Sequence, residues 1–140
     1  MPVQGKSPVI PTMRYRDAAA AIDWLCRVLG FSRYLVVPGD GDAIAHAQLA
    51  LGDGMIMLGS ERDDDYGQLL AVPGPQGANT QAAYVVVDDP QALHDRAVGA
   101  GADIVMPLQN PDYGGSFFAC RDPEGHVWNI GSYDPWETRA

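Results

Sequence analysis

The chain repeats itself. Sliding the 140-residue sequence by 71 positions lays Asp17 on Asp88, Ala21 on Ala92, Ile22 on Leu93, Gly30 on Gly101 and Gly54 on Gly125. No single match carries weight, but together they put the same helix start, apolar stripe and helix stop in both halves, followed by the same tight turn. Self-similarity at a fixed period restricts the chain to one supersecondary unit built twice.

In the first half an extended stretch, residues 9–15, runs into Asp17, whose carboxylate can accept from the free amides of a first helical turn. Ala18, Ala21, Ile22, Leu25 and Leu29 then recur at the three-and-four spacing of an amphipathic helix, and Gly30 is suited to the left-handed residue that ends it. The second copy starts with residues 80–87, takes Asp89 as cap and places Pro90 where no amide is needed. Leu93, Ala97 and Ala100 form its stripe, and Gly101 stops it. Three strands are expected after each helix: residues 31–37, 43–51 and 55–59, then 104–106, 116–121 and 127–131. Gly-Asp segments punctuate the first set as hairpins require.

Each half therefore reads βαβββ, and the fold class is α+β. One helix covers one face of a four-stranded sheet, so two such modules are expected to form an open curved sheet around a cleft. At 140 residues the expectation is one domain spanning 1–140. It comprises module 1 at about 8–60, a linker at 61–79, module 2 at about 80–131 and a C-terminal tail at 132–140. The linker holds Asp63, Asp64 and Asp65 and then Pro73-Gly74-Pro75, a composition hostile to regular structure. It reads as a solvated connection or as a flap over the cleft.

Composition excludes several functions. With 9 Lys and Arg against 18 Asp and Glu, the formal net charge is −9, and no basic run offers a footprint for phosphates; nucleic acid is not an expected partner. No apolar run approaches the about 18 residues of a membrane span, and the first residues lack a signal-peptide core, so no membrane partner and a cytoplasmic location are expected. Cys26 and Cys120 lie far apart without metal-ligand spacing and read as buried thiols. No GxSxG, P-loop or GxGxxG motif stands at a strand-to-helix junction. Acidic pairs such as Asp63-Asp64 and Asp88-Asp89 read as solvation and capping.

The paired βαβββ order, the AAIDWLCRVLGF helix end and the DPEGHVW segment (residues 122–128) resemble the vicinal oxygen chelate superfamily of glyoxalases, bleomycin-resistance proteins and extradiol dioxygenases. The closing YDPW (residues 133–136) is similar to glyoxalase-like members. For metal-using members the resemblance implies a His from each first strand and a Glu from each fourth strand around one divalent ion. Counting back from Asp17 and from Asp88, the His positions fall on Ile10 or Pro11 and on Ala82 or Gln81. The last Glu becomes Asn129, and its repeat mate is Leu58 or Met57. Apolar and amide side chains make a feeble set for a transition metal, so neither a metal nor another cofactor is expected.

Strand parity then selects the site. In the strand AIAHAQLAL, Ile44, His46, Gln48 and Ala50 share one face while Ala45, Ala47, Leu49 and Leu51 share the other. The second face is uniformly apolar and belongs under the helix; the first should line the cleft. Imidazole titrates near neutral pH, so His46 is a candidate for ligand contact or for acid/base work, the alternative being a polar residue on a wet sheet face. Tyr84, Phe117 (the repeat mate of His46), Asn129, Gln48 and Leu58 complete the expected ligand-binding set, an apolar pocket with a few orienting polar groups. Trp128 is assigned to the core, Trp24 to a helix edge, His94 to solvent and His126 to a structural turn. Tyr113 and Trp136 lie in end segments able to reach the rim.

The first function expected is a metal-independent small-molecule binding protein of the bleomycin-resistance kind, holding an aromatic or cationic compound. The alternative is a glyoxalase-like lyase or isomerase with an altered or absent metal site. A third is an interaction domain whose cleft has closed. The resemblance also implies a homodimer.

Overall fold

The computed structural model describes residues 2–137, so the last part of the expected tail, residues 138–140, lies outside the described residues. The chain divides into two compact units, Met1–Val72 and Pro73–Ala140. Each carries one open four-stranded sheet and one main helix in βαβββ order.

In the first unit, β1 (Thr12–Tyr15) leads into α1 (Ala18–Trp24), followed by β2 (Ser32–Pro38), β3 (Ile44–Leu51) and β4 (Gly54–Ser60). The spatial order is β1-β4-β3-β2, with β1 parallel to β4 and the other pairs antiparallel. Asp17 caps α1 by accepting the amide of Ala20 at 3.1 Å, and the whole expected stripe from Ala18 to Leu29 is buried. The last turn, Leu25–Leu29, is π-helical: the amide of Gly30 reaches back five residues to the carbonyl of Leu25, and Gly30 closes it at φ 90°. A π turn accommodates one extra residue in a helix. Ala47 and Leu49 of β3 pair with Leu58 and Ile56 of β4, and all four are buried on the face that α1 covers. Removing each large side chain from water stabilises the unit by about 1.5–3 kcal/mol.

In the second unit the same plan runs through β5 (Ala83–Val86), α2 (Pro90–Gly99), β6 (Asp103–Gln109), β7 (Phe117–Arg121) and β8 (Val127–Gly131), ordered β5-β8-β7-β6. Asp89 caps α2 through the amide of Ala92 at 3.1 Å, with Pro90 following as expected. Phe118 and Cys120 of β7 pair with Ile130 and Trp128 of β8 and are fully buried beneath the helix. The DPEGHVW segment is a knot around Asp122. Its buried carboxylate accepts the amides of Glu124 and His126 and the indole N–H of Trp128, while Gly125 takes φ 93° at the tip. The His126 amide is one of the bonds that fix this turn.

Several expectations need correction. The first strand of each half begins three residues later than the sequence suggests, at Thr12 and Ala83. The tight turns matched through Gly54 and Gly125 differ: the positive φ falls on Gly125 in the second but on Gly52 in the first. His94 is half-buried, its ring edge-on to Phe118 at 5.1 Å, because the polar side of α2 leans onto the end of the core. Trp24 is buried rather than marginal, and Cys26 is only half-buried. The segment between the sheets contains one short 3-10 turn, Gly67–Leu69. Its early part holds to the first unit, where the Tyr66 ring lies against Arg14 of β1. Its later part holds to the second, where Gly74 donates to the carbonyl of Glu124 and Asn79 bonds both Gly125 and Val127. Among the described residues no helix is long and apolar enough to cross a membrane.

Candidate functional site

The face of each sheet turned away from its helix carries the polar and aromatic candidates. In the first unit, register places His46 and Gln48 on that face, because their neighbours Ala47 and Leu49 are the buried ones. The ring Nε2 of His46 and the amide nitrogen of Gln48 lie 3.0 Å apart. With Gln48 donating, His46 accepts at Nε2. Gln48 in turn stands beside Met57 of β4.

Leu58 does not belong to this face. It is 1% exposed in the core and pairs with buried Ala47, so Met57 holds the position expected for Leu58. A one-residue slip in a strand exchanges its faces, which is why the sequence alone left the two interchangeable.

Arg14 was not a candidate in the sequence, yet it is 7% exposed on this face. Its guanidinium lies against Gly59, its partner in the β1–β4 ladder, where any Cβ would collide with Nη1. The ring of Tyr66 covers it at 5.3 Å, a cation–π distance. Beside them the amide of Gly67, with help from Arg62 and Arg14, holds the Asp64 carboxyl below the usual carboxylate range. No local pattern in the sequence marks it, because its pairing with Gly59 is set by the β1–β4 register.

In the second unit, Tyr84 pairs with Asn129, and Asn129 with Ala119, on the face away from α2. Phe117, two residues before Ala119, shares that face and is half-buried. Asn129 donates its amide to the carbonyl of Ala83 at 3.2 Å. The Tyr84 ring lies across Gly131, where a Cβ would strike the phenol, and its hydroxyl donates to the carbonyl of Tyr133 at 2.8 Å. Burial, then the neighbouring Tyr113, Tyr133 and Asp134, push the Tyr84 phenol above its ordinary value. The structure thus groups His46 with Gln48 in one unit, and Tyr84, Phe117 and Asn129 in the other.

The metal that the fold family implies does not fit these residues. Register sets Thr12 beside Met57 and Tyr84 beside Asn129, so the fourth-strand positions offer a thioether and an amide. Among the described residues no three His, Cys, Asp or Glu side chains come together to hold an ion. Divalent oxygen chemistry needs carboxylates or imidazoles at such places, and no catalytic step is derived through a metal here.

Comparison with known proteins agrees with the topology. The uncharacterised protein Rv0887c of Mycobacterium tuberculosis is 28% identical over 131 residues, covering 94% of this chain and 77% of that protein. The crystal structure of TioX from Micromonospora sp. ML1 superposes with a TM-score of 0.71 at 34% identity, covering 89% of this chain and 97% of that one. A glyoxylase/bleomycin resistance protein/dioxygenase domain from Frankia sp. EAN1pec shares the fold, with a TM-score of 0.68 at 18% identity over 90% of this chain and 96% of that one. The profile of the Glyoxalase/Bleomycin resistance protein/Dioxygenase superfamily matches residues 9–130. With both βαβββ units inside that match, the chain belongs to the glyoxalase/bleomycin resistance protein/dioxygenase superfamily.

Proposed function

We propose that this protein binds a small aromatic or cationic organic molecule on its open sheet faces, without a metal. The observation that carries this reading is the make-up of the face in the second unit: the Tyr84 ring, held over Gly131, stands next to the amide of Asn129 and near Phe117. Aromatic surface with a few fixed polar groups is how proteins hold planar ligands. Charge favours a cation. Nine Asp and Glu against three Arg give residues 73–140 a formal charge of −6, the larger part of the −9 of the chain, and such a field raises the local concentration of positive ligands.

The alternative, a metal-free lyase or isomerase, would use His46 as base. In the 3.0 Å contact the Gln48 amide donates to Nε2 and occupies the basic lone pair, so the base role needs that contact to open, whereas a ligand can be held with it in place. A homodimer is proposed as well, supported by the edge strand β2, where Tyr34, Leu35, Val36 and Val37 are all exposed. The test of the main reading is a thermal-shift screen of planar cationic compounds with and without a chelator. The expected outcome is stabilisation that the chelator leaves unchanged; stabilisation that needs an added divalent ion overturns metal independence, and the absence of any stabilising compound overturns binding.

A further inference from the structure

Two glycines and one serine pair bring three tyrosines to one place in the second unit. Gly131 lets the Tyr84 ring lie flat on β8, and the Tyr84 hydroxyl then bonds the carbonyl of Tyr133 at 2.8 Å. Gly115, at φ 73°, lets the loop before β7 press against the segment after β8: a Cβ there would meet Ser132 Oγ and, at 3.1 Å, the amide of Tyr133. Ser116 and Ser132 close this contact reciprocally, the amide of Ser116 donating to Ser132 Oγ at 2.9 Å and the amide of Ser132 to the carbonyl of Ser116 at 3.0 Å. The result seats the Tyr113 ring edge-on to Tyr133 at 5.1 Å and 77°.

The group is built yet remains accessible. Tyr113 is 57% and Tyr84 38% exposed, so the rings are not simply core. Asp134 follows directly, and its side chain accepts the amide of Trp136 at 3.0 Å, which fixes the carboxylate on this side of the turn. Its charge reaches Tyr84, as do Tyr113 and Tyr133. Partly exposed aromatic rings, two of them edge-on and the third tied to the same segment through its hydroxyl, with a carboxylate alongside and a negative surrounding field, attract a cation that is weakly hydrated.

We propose that Tyr84, Tyr113 and Tyr133, with Asp134 at their margin, form the seat for a methylated ammonium or similar soft organic cation carried by the ligand. This rests on the proposed small-molecule binding and names the charged group of the ligand and where it docks. A quaternary ammonium cannot donate a hydrogen bond, so the rings act through their electron-rich faces, and Asp134 acts by charge alone.

Calorimetric titration of the full chain with choline tests this, compared against the isostere in which carbon replaces the quaternary nitrogen. Choline should bind at one equivalent, at least about fivefold more tightly than the neutral isostere. Tyr113→Leu should weaken choline by at least about fivefold and Tyr113→Phe by less than about twofold, because the ring and not the hydroxyl does the binding. Equal affinity for the two isosteres, no choline binding, or an unaffected Tyr113→Leu variant each overturns the proposal. A planar cationic compound that binds Tyr113→Leu as well as the native chain, but binds His46→Ala less well, leaves small-molecule binding standing and removes this site.

Discussion

The Asp122 carboxylate accepts the indole N–H of Trp128 at 3.1 Å inside the second unit, while it also holds the amides of Glu124 and His126. Asp122 is 4% exposed and Trp128 fully buried. One charged group therefore ties the last hairpin to the largest core side chain, and charge-assisted bonds of this kind contribute about 1.5–3 kcal/mol each.

Asp122→Ala should accordingly lower unfolding stability by about 3 kcal/mol or more, since it strands two turn amides and a buried indole donor. Trp128→Phe should also destabilise, by leaving Asp122 without its indole donor as well as opening space in the core. Urea unfolding of both variants checks this; a loss below about 1 kcal/mol for Asp122→Ala would show that water replaces the carboxylate at little cost.

Leu58 and His46 sit on opposite faces of the same sheet, so their substitutions should separate stability from binding. Leu58→Ala should cost about 2–5 kcal/mol of stability. His46→Ala should leave stability nearly unchanged and weaken a bound planar cation by about 1–3 kcal/mol where the contact is desolvated. Denaturation curves and titration of one screened compound into both variants decide the matter. A compound that binds His46→Ala with native affinity would place its site elsewhere.

Burial, with Asp122 and Asp103 nearby, pushes the Cys120 thiol up to about 12. At pH 8 about one thiol in ten thousand is then ionised, so Cys120 should resist a disulfide reagent in the folded protein. Half-buried Cys26, whose thiol is also raised by burial, should be the one that reacts, and both should react after unfolding. Because the folded value exceeds the unfolded one, the stabilisation is complete below about pH 9 and is lost as pH rises toward 12. Two fast-reacting thiols in the native chain would contradict this placement.

Sedimentation at micromolar concentration should give a dimer mass, and Val36→Lys on the exposed edge strand β2 should shift the protein toward monomer. A lysine on an edge strand opposes pairing with another sheet. A monomer mass for the native chain removes the dimer.

Much of this was legible in the residues. Asp17 and Asp89 announced their helices because a short carboxylate before an apolar three-and-four stripe has one efficient use. The alternation around His46 gave the strand and the two faces at its centre, where Ala47 and Leu49 are buried, while Ala45, expected under the helix with them, is exposed at the strand's start and Leu51 is half-buried at its end. Arg14 was not legible: its burial depends on Gly59, far away in sequence, and on Tyr66 closing over it. Tyr113 and Tyr133 meet only through Gly115 and the Ser116–Ser132 pair, contacts that no local pattern encodes.

What the sequence by itself determined is the plan: two βαβββ modules, their caps, their stops and their apolar stripes, except that Ala100, expected in the second stripe, is the exposed cap after α2. What the tertiary structure decided is the register between the copies. The helix caps correspond at Asp17 and Asp89, 72 apart, while the stop glycines Gly30 and Gly101 are 71 apart, and the π turn at Leu25–Leu29 houses the extra residue. Buried Leu49 and Cys120 are again 71 apart on β3 and β7, but buried Leu58 and Ile130 are 72 apart on β4 and β8, because the first hairpin turns through Gly52-Asp53 and the second through the longer Asp122 knot. A helix absorbs one residue by loosening a turn. The β3–β4 ladder has no bulge to absorb one, and because side chains alternate, a slip of one there exchanges the faces of Leu58 in the core and Met57 on the open side.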